Sequence, residues 1–153
     1  MFSNINRIPS VEKCRKHIGK GLHIFNENGD IYIENLSECP IFIQSRNSNH
    51  ENKYHPNTVC KILPGYNLKV FQSKLFAELL RESVDLGYDS VYDLANMCCV
   101  KASFVKGWGA EYYRQEVSAC PCWIEIRLNG AFQWLDKVLK EMGSSSNPVT
   151  SVS

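Results

Sequence analysis

Residues 22–36 read LHIFNENGDIYIENL, and this stretch decides the fold. Its two arms, LHIF and DIYIENL, are rich in strand-forming apolar residues. They flank NENGD, in which Asn28-Gly29 is the dipeptide that tolerates the left-handed backbone of a two-residue turn. The spacing predicts a β-hairpin. Working outward toward the C-terminus, IFIQS follows Pro40 and NLKVF follows the turn LPGY, so the β reading runs to about residue 71. Between these strands lies RNSNHENKYHPNT, residues 46–58, expected as a polar loop of about a dozen residues, a length that in a compact domain marks a functional or unordered segment. Toward the N-terminus a short helix is expected, capped by Ser10, with Glu12 in its first turn and Gly19 and Gly21 ending it.

Past residue 71 the apolar period changes. Ser73 is expected to cap a helix whose inward face is Leu75, Phe76, Leu79, Leu80 and Val84, closed by Gly87. Ser90 and Asp93 have capping-box spacing for a second helix with the stripe Val91, Leu94, Ala95 and Cys98. CWIEIRL alternates as a strand with Ile124, Ile126 and Leu128 on one side. The last helix runs through AFQWLDKVLKEM, with Phe132, Leu135, Val138, Leu139 and Met142 inward and Gly143 as its stop. Strands and helices segregate instead of alternating. This predicts a mainly β fold, a β-sandwich with helices packed at one end, and not a doubly wound parallel sheet.

At 153 residues and 44% apolar content the chain suits one folded domain. No apolar run approaches the roughly 18 residues of a membrane span, and the start lacks the apolar stretch of a secretory signal, so a soluble, intracellular protein is expected. A net charge of +1 is a poor basis for nucleic-acid binding by bulk electrostatics. The seven cysteines, Cys14, Cys39, Cys60, Cys98, Cys99, Cys120 and Cys122, form no CxxC pair and lack structural-zinc spacing. They read as reduced, mostly buried thiols, with no metal and no cofactor expected.

Catalytic signatures are sparse. His17, His23, His50 and His55 are candidate bases for a cysteine nucleophile, but no acid stands at a telling spacing, and there is no P-loop, GxGxxG or nucleophile elbow. SFVKGWGAEYYRQEV, residues 103–117, is more informative. Read as an exposed loop, it gathers Lys106, Trp108, Tyr112, Tyr113 and Arg114. A point charge, a bidentate guanidinium and phenolic donors are the groups that a phosphoserine takes. At the other end of the chain, residues 144–153 carry no charge and no aromatic ring, and Ser151 and Ser153 there gain about −3 to −4 charge on double phosphorylation. A tail of one subunit docking on the basic loop of the next is a head-to-tail contact of the kind that closes into rings. The chemistry predicts a phosphorylation-gated oligomer.

The words SFVKGWGAEY, PCWIEIRLNG, QWLDKVL, HPNTVCKI and the terminal SVS closely resemble the Mad-homology 2 domain of Smad proteins, intracellular transducers of transforming growth factor-β and bone morphogenetic protein (TGF-β/BMP) signals. The resemblance covers essentially the whole chain from SNINR onward. It implies a SMAD/FHA-like β-sandwich with a helical bundle at one end and a loop-helix region at the other, and a binding module without catalytic activity. It assigns residues 1–143 to the domain and 144–153 to a phospho-acceptor tail. A type I receptor serine/threonine kinase would phosphorylate Ser151 and Ser153. Lys61, Lys106, Tyr112 and Arg114 match phosphoserine-binding residues, and Asp136 matches an acidic residue of the subunit interface. Trp108 looks more like a loop anchor.

Partners implied are a common-mediator Smad and other receptor-regulated Smads in a trimer, together with transcriptional co-regulators. The chain would move from cytoplasm to nucleus on activation, with no direct DNA binding and no membrane association of its own. Tyr113 and Glu116 occupy positions that separate receptor classes; Glu116, QSRN and NPVTSVS lean toward the bone morphogenetic protein type, whereas Tyr113 and Asn67 do not. Relative to the family pattern, N-terminal sandwich strands are expected to be missing. The alternatives are an inactive or dominant-negative fragment and, from another class, a cysteine-dependent enzyme.

Overall fold

The computed structural model describes residues 18–146, with side chains through residue 143. The expected N-terminal helix with Ser10 and Glu12, together with Cys14 and His17, lies outside the described residues, as do Ser151 and Ser153. From Ile18 the chain turns, with the Gly21 N–H donating to the Ile18 carbonyl at 3.0 Å, and enters the hairpin.

The hairpin forms as the opening stretch predicts. Strands β1 (Leu22–Glu27) and β2 (Asp30–Asn35) pair antiparallel with Glu27 opposite Asp30. Asn28 and Gly29 both take positive φ, 56° and 91°, the backbone that lets a two-residue turn follow the strand twist. Strand β5 (Asn67–Phe71) adds to β2 and completes a three-stranded sheet. The second sheet has four antiparallel strands in the order β4 (Cys60–Ile62), β3 (Ile41–Ser45), β6 (Cys99–Phe104) and β7 (Trp123–Arg127). Ile33 and Val70 from the first sheet join Ile41, Ile43, Val100 and Ala102 from the second in one core. Buried Asn35 bridges the sheets, its Nδ2 donating to the carbonyls of Cys39 and Ile62, both at 2.8 Å.

Four expectations need correction. Residues 46–58 are not one loop, because Arg46–Glu51 forms a short helix, α1. Ser45 starts it, its Oγ accepting from the Ser48 N–H and donating to the Val70 carbonyl. The polar letters here are interior ones: Asn47, Ser48 and Asn49 are fully buried, the two Asn side chains hydrogen-bonded to backbone and Ser48 accepting from Asn52 Nδ2. Next, Cys99–Phe104 is a strand and not the end of a helix followed by loop. As β6 it is paired with a strand at each edge, and its buried Ser103 lies among buried Val100, Ala102 and Phe104 while Lys101 is exposed, so its polar letters do not mark one solvent face.

The third correction concerns caps. Ser73 opens helix α2 (Ser73–Leu86) but does not cap it with its own side chain. Asp30 of the hairpin accepts from the Ser73 N–H at 3.0 Å, placing a carboxylate at the positive end of the helix. Ser73 Oγ instead donates to the Gly29 carbonyl at 2.7 Å. Ser90 and Asp93 likewise form no capping box, since helix α3 (Tyr88–Asp93) starts after Gly87 and continues as a 3₁₀ turn over Leu94–Met97. Fourth, Gly143 does not stop the last helix, α4, which spans Asn129–Ser146.

The inward faces otherwise follow the period. Phe76, Leu80, Val91, Cys98 and Leu135 are buried, with Leu94, Ala95, Phe132, Val138, Leu139 and Met142 packed beside them, whereas Val84 is exposed. Helices α2, α3 and α4 pack in succession, and α1 packs on β3, β5 and α2. The fold is mainly β, two antiparallel sheets with packed helices, as expected.

Candidate functional site

The site is built where β6 ends. Ser103 is fully buried, and its hydroxyl donates to the Lys106 carbonyl at 2.8 Å. Between them Val105 sits at φ 72°, and the Lys106 N–H donates back to the Phe104 carbonyl at 2.8 Å. A two-residue closure around a positive-φ centre is a strained γ-turn, rare for a β-branched side chain. The Val105 N–H is tied to the Pro40 carbonyl at 3.0 Å, and the Cys120 thiol donates weakly to the carbonyls of Lys106 and Gly107. Surrounding bonds therefore hold the turn that carries Lys106 out to solvent.

Gly107 follows because nothing larger fits. A Cβ there would lie 2.8 Å from the Tyr112 ring and 2.9 Å from that of Phe42. Those rings meet edge to face, with centroids 5.5 Å apart and planes at 80°. Trp108, 3% exposed, packs with Phe42, Val117, Cys120 and Val59 in a small cluster separate from the main core. The rest of the loop closes on itself: Gly109 N–H donates to the Arg114 carbonyl at 2.7 Å and Tyr112 N–H to the Gly109 carbonyl at 3.0 Å.

Above this cluster lies a cleft of about 760 Å³. Phe42, Val59 and Trp108 supply its apolar lining; His55, Asn57, Thr58, Lys61, Tyr112 and Gln115 line it with polar groups, and Glu111 places one carboxylate on its wall. Lys61 reaches it because strand β4 pairs it directly with Phe42, which puts both side chains on one face. Its ammonium sits 5.8 Å from the Phe42 ring centroid. The facing segment, residues 55–58, is held from within by Asn49, whose Nδ2 donates to the carbonyls of Pro56 and Thr58, both at 2.9 Å.

The structure thus brings Lys61 and Tyr112, distant in sequence, to one cleft with an apolar base. Lys106 and Arg114 belong to the same loop but do not line that cleft; Lys106 is exposed and Arg114 half-buried. Tyr113 is fully exposed, and Glu116 is exposed beside it. Asp136 lies on the outer face of α4, in an ion pair with Lys140 at 3.0 Å. Sequence reasoning passed over Phe42, Asn49 and Gln115. Phe42 had a signal, since it is the out-of-phase aromatic in IFIQS, but which surface it supports depends on strand pairing.

Three of the described thiols are held in their protonated form. Burial pushes Cys98 up to about 12 and raises Cys60 and Cys99 as well, the reverse of what an activated cysteine needs. His23 Nδ1 lies 3.4 Å from Glu34 Oε1, and His55 Nδ1 accepts from the Asn57 backbone N–H.

Among solved structures the chain is similar to the crystal structure of the interferon regulatory factor 9 IAD domain, at 11% identity and a TM-score of 0.57. The likeness covers 90% of this chain and 66% of that one, just under two thirds of its length, and at that identity it shows the fold alone. The family model that matches describes an MH2 domain, over residues 1–129. With that match spanning well over half of the sequence, and the two-sheet fold in agreement, the chain belongs to the MH2 domain family.

Proposed function

We propose that this chain is the effector domain of a receptor-regulated Smad, a phosphorylation-switched interaction module. MH2 domains act through protein–protein contacts and oligomerisation in Smad-family signal transduction. In this reading a type I receptor kinase phosphorylates Ser151 and Ser153, and the charged tail of one copy docks on the cleft of a neighbour. The observation that carries it is the cleft itself: the Lys61 ammonium and the Tyr112 ring converge over an apolar base formed by Phe42 and Trp108. An ammonium beside apolar walls binds a phosphate more strongly than one surrounded by water, because the local dielectric is lower. Lys106 and Arg114 on the same loop supply further charge for the second phosphate. Tyr113, fully exposed, is available to a receptor kinase, and Asp136 to an adjoining subunit. Assembly with a common-mediator Smad, passage to the nucleus and regulation of transcription complete the proposal.

The test is mass by light scattering before and after tail phosphorylation. Phosphorylated chain should assemble into trimers, and Ser151→Ala with Ser153→Ala should remain as the unphosphorylated chain does. Identical behaviour of the phosphorylated and alanine forms overturns the switch. Lys61→Ala, Lys106→Ala and Arg114→Ala should each weaken assembly, since each removes a charge-assisted bond of roughly 1.5–3 kcal/mol.

A further inference from the structure

His55 enters the sequence reading only as a candidate base for a cysteine, and the fold places it on the wall of the cleft. One bond sets its chemistry there. The Asn57 backbone N–H donates to His55 Nδ1 at 3.1 Å. A backbone nitrogen is always the donor, so Nδ1 is the acceptor and the proton of the neutral ring resides on Nε2. The ring is therefore a fixed N–H donor and needs no charge to act as one. Its backbone is restrained too: the His55 carbonyl accepts from the Thr58 N–H at 3.0 Å, and Asn49, 1% exposed, grips the carbonyls of Pro56 and Thr58 from the interior.

We propose that His55 is a phosphoserine ligand of this cleft, donating from Nε2 to a phosphate oxygen of the incoming tail alongside Lys61 and Tyr112. The proposal rests on the reading of the cleft as the tail receptor and adds a residue to it. An ammonium, a phenol and an imidazole N–H are three donors of different reach, suited to the three terminal oxygens of a phosphomonoester. The two walls that carry them come from separate parts of the chain, so a phosphate here would bridge the 55–61 segment and the 103–117 loop.

The test uses the unphosphorylated full chain and a labelled peptide of residues 144–153 phosphorylated at the positions of Ser151 and Ser153, followed by fluorescence anisotropy. Three variants separate geometry from contact. His55→Asn keeps an acceptor for the N–H two residues on, as an Asx-turn, while losing the far donor. His55→Gln keeps a donor at similar reach, and His55→Ala loses both. His55→Asn and His55→Ala should weaken phosphopeptide binding about tenfold, and His55→Gln less than about threefold. Thermal midpoints and binding of the unphosphorylated peptide should be unchanged in the Asn and Gln variants.

A wild-type chain that does not prefer the phosphorylated peptide overturns the tail-receptor reading and His55 with it. Phosphate-selective binding with His55→Asn at wild-type affinity overturns the His55 assignment alone, as does a loss in His55→Gln as deep as in His55→Ala. Inorganic phosphate competing as well as the phosphopeptide would mark a free-anion site and overturn the tail as occupant.

Discussion

Gly107→Ala probes the joint between scaffold and cleft, because the structure says which groups must yield. The new methyl would stand 2.8 Å from Tyr112 Cε2 and Cζ and 2.9 Å from Phe42 Cε2, closer than carbon atoms approach. Phe42 is 4% exposed and fixed within β3, whereas Tyr112 is 38% exposed on the loop. Tyr112 therefore moves and Phe42 stays. Overpacking costs about 1–3 kcal/mol where nothing can yield; with a mobile ring the cost falls toward the lower end, about 1 kcal/mol. For a chain of this size that lowers the thermal midpoint by about 2–4 °C. The larger effect is on binding, since displacing Tyr112 removes a donor from the cleft and should weaken phosphopeptide affinity between about two- and tenfold.

A double-mutant cycle with Tyr112→Ala checks the cause. Once the ring is gone the methyl has room on that side, so the two stability losses should be less than additive by about 0.5 kcal/mol or more. Strict additivity, or a Gly107→Ala chain that melts and binds as wild type, refutes the proposed packing of Tyr112 over Gly107.

Further outcomes follow from other parts of the molecule. Asn35→Ala takes the Asn35 partner from the Ile62 carbonyl and the Ser37 N–H, while Ser37 Oγ still donates to the Cys39 carbonyl, so urea unfolding should show a loss of about 2–4 kcal/mol. Cys98 keeps its proton to about pH 12 when folded but loses it near 8.5 when unfolded. The unfolded chain then binds fewer protons, and stability falls as pH rises above about 8.5, by up to about 1.4 kcal/mol per unit; Cys98→Ala should flatten that slope between pH 8.5 and 10. Asp136→Ala loses only an exposed i,i+4 pair with Lys140, so the thermal midpoint should hold within about 1 °C, and any loss of assembly then reports the interface and not folding.

The sequence carried the hairpin, the helical stripes and the segregation of strands from helices because each is a local period. What it concealed is tertiary. The string RNSNHENKYHPNT looked solvated because Asn and Ser are usually exposed, yet Asn47 and Asn49 are interior residues that hold the backbone of Gln72, Pro56 and Thr58. Only long-range partners reveal that. Strand β6 escaped notice because CVKASF mixes exposed Lys101 with buried Ser103, so its letters do not report burial, and its pairing with β3 and β7 is long-range. Ser73 looked like a cap because Asp30, which serves the helix start, lies 43 residues earlier. Of the site, Tyr112 was legible in the make-up of the 103–117 loop and Lys61 came from resemblance alone, and their convergence required the pairing of Phe42 with Lys61. That Lys106 is carried out to solvent depends on the γ-turn at Val105, which no local pattern announces.

Strand β3 sends Ile41 and Ile43 into the main core and Phe42 into the small cluster with Trp108, Val117 and Cys120. One strand is thus the boundary between two independently packed regions. The loop side, with few buried side chains, should open at a lower free energy than the sandwich, and amide exchange should show residues 107–117 protected less than β3 and β6. A receptor surface organised this way separates recognition from persistence. Substitutions around Tyr113 and Glu116 can retarget the surface while the sandwich retains its stability, so partner choice can diverge among relatives that share one durable frame.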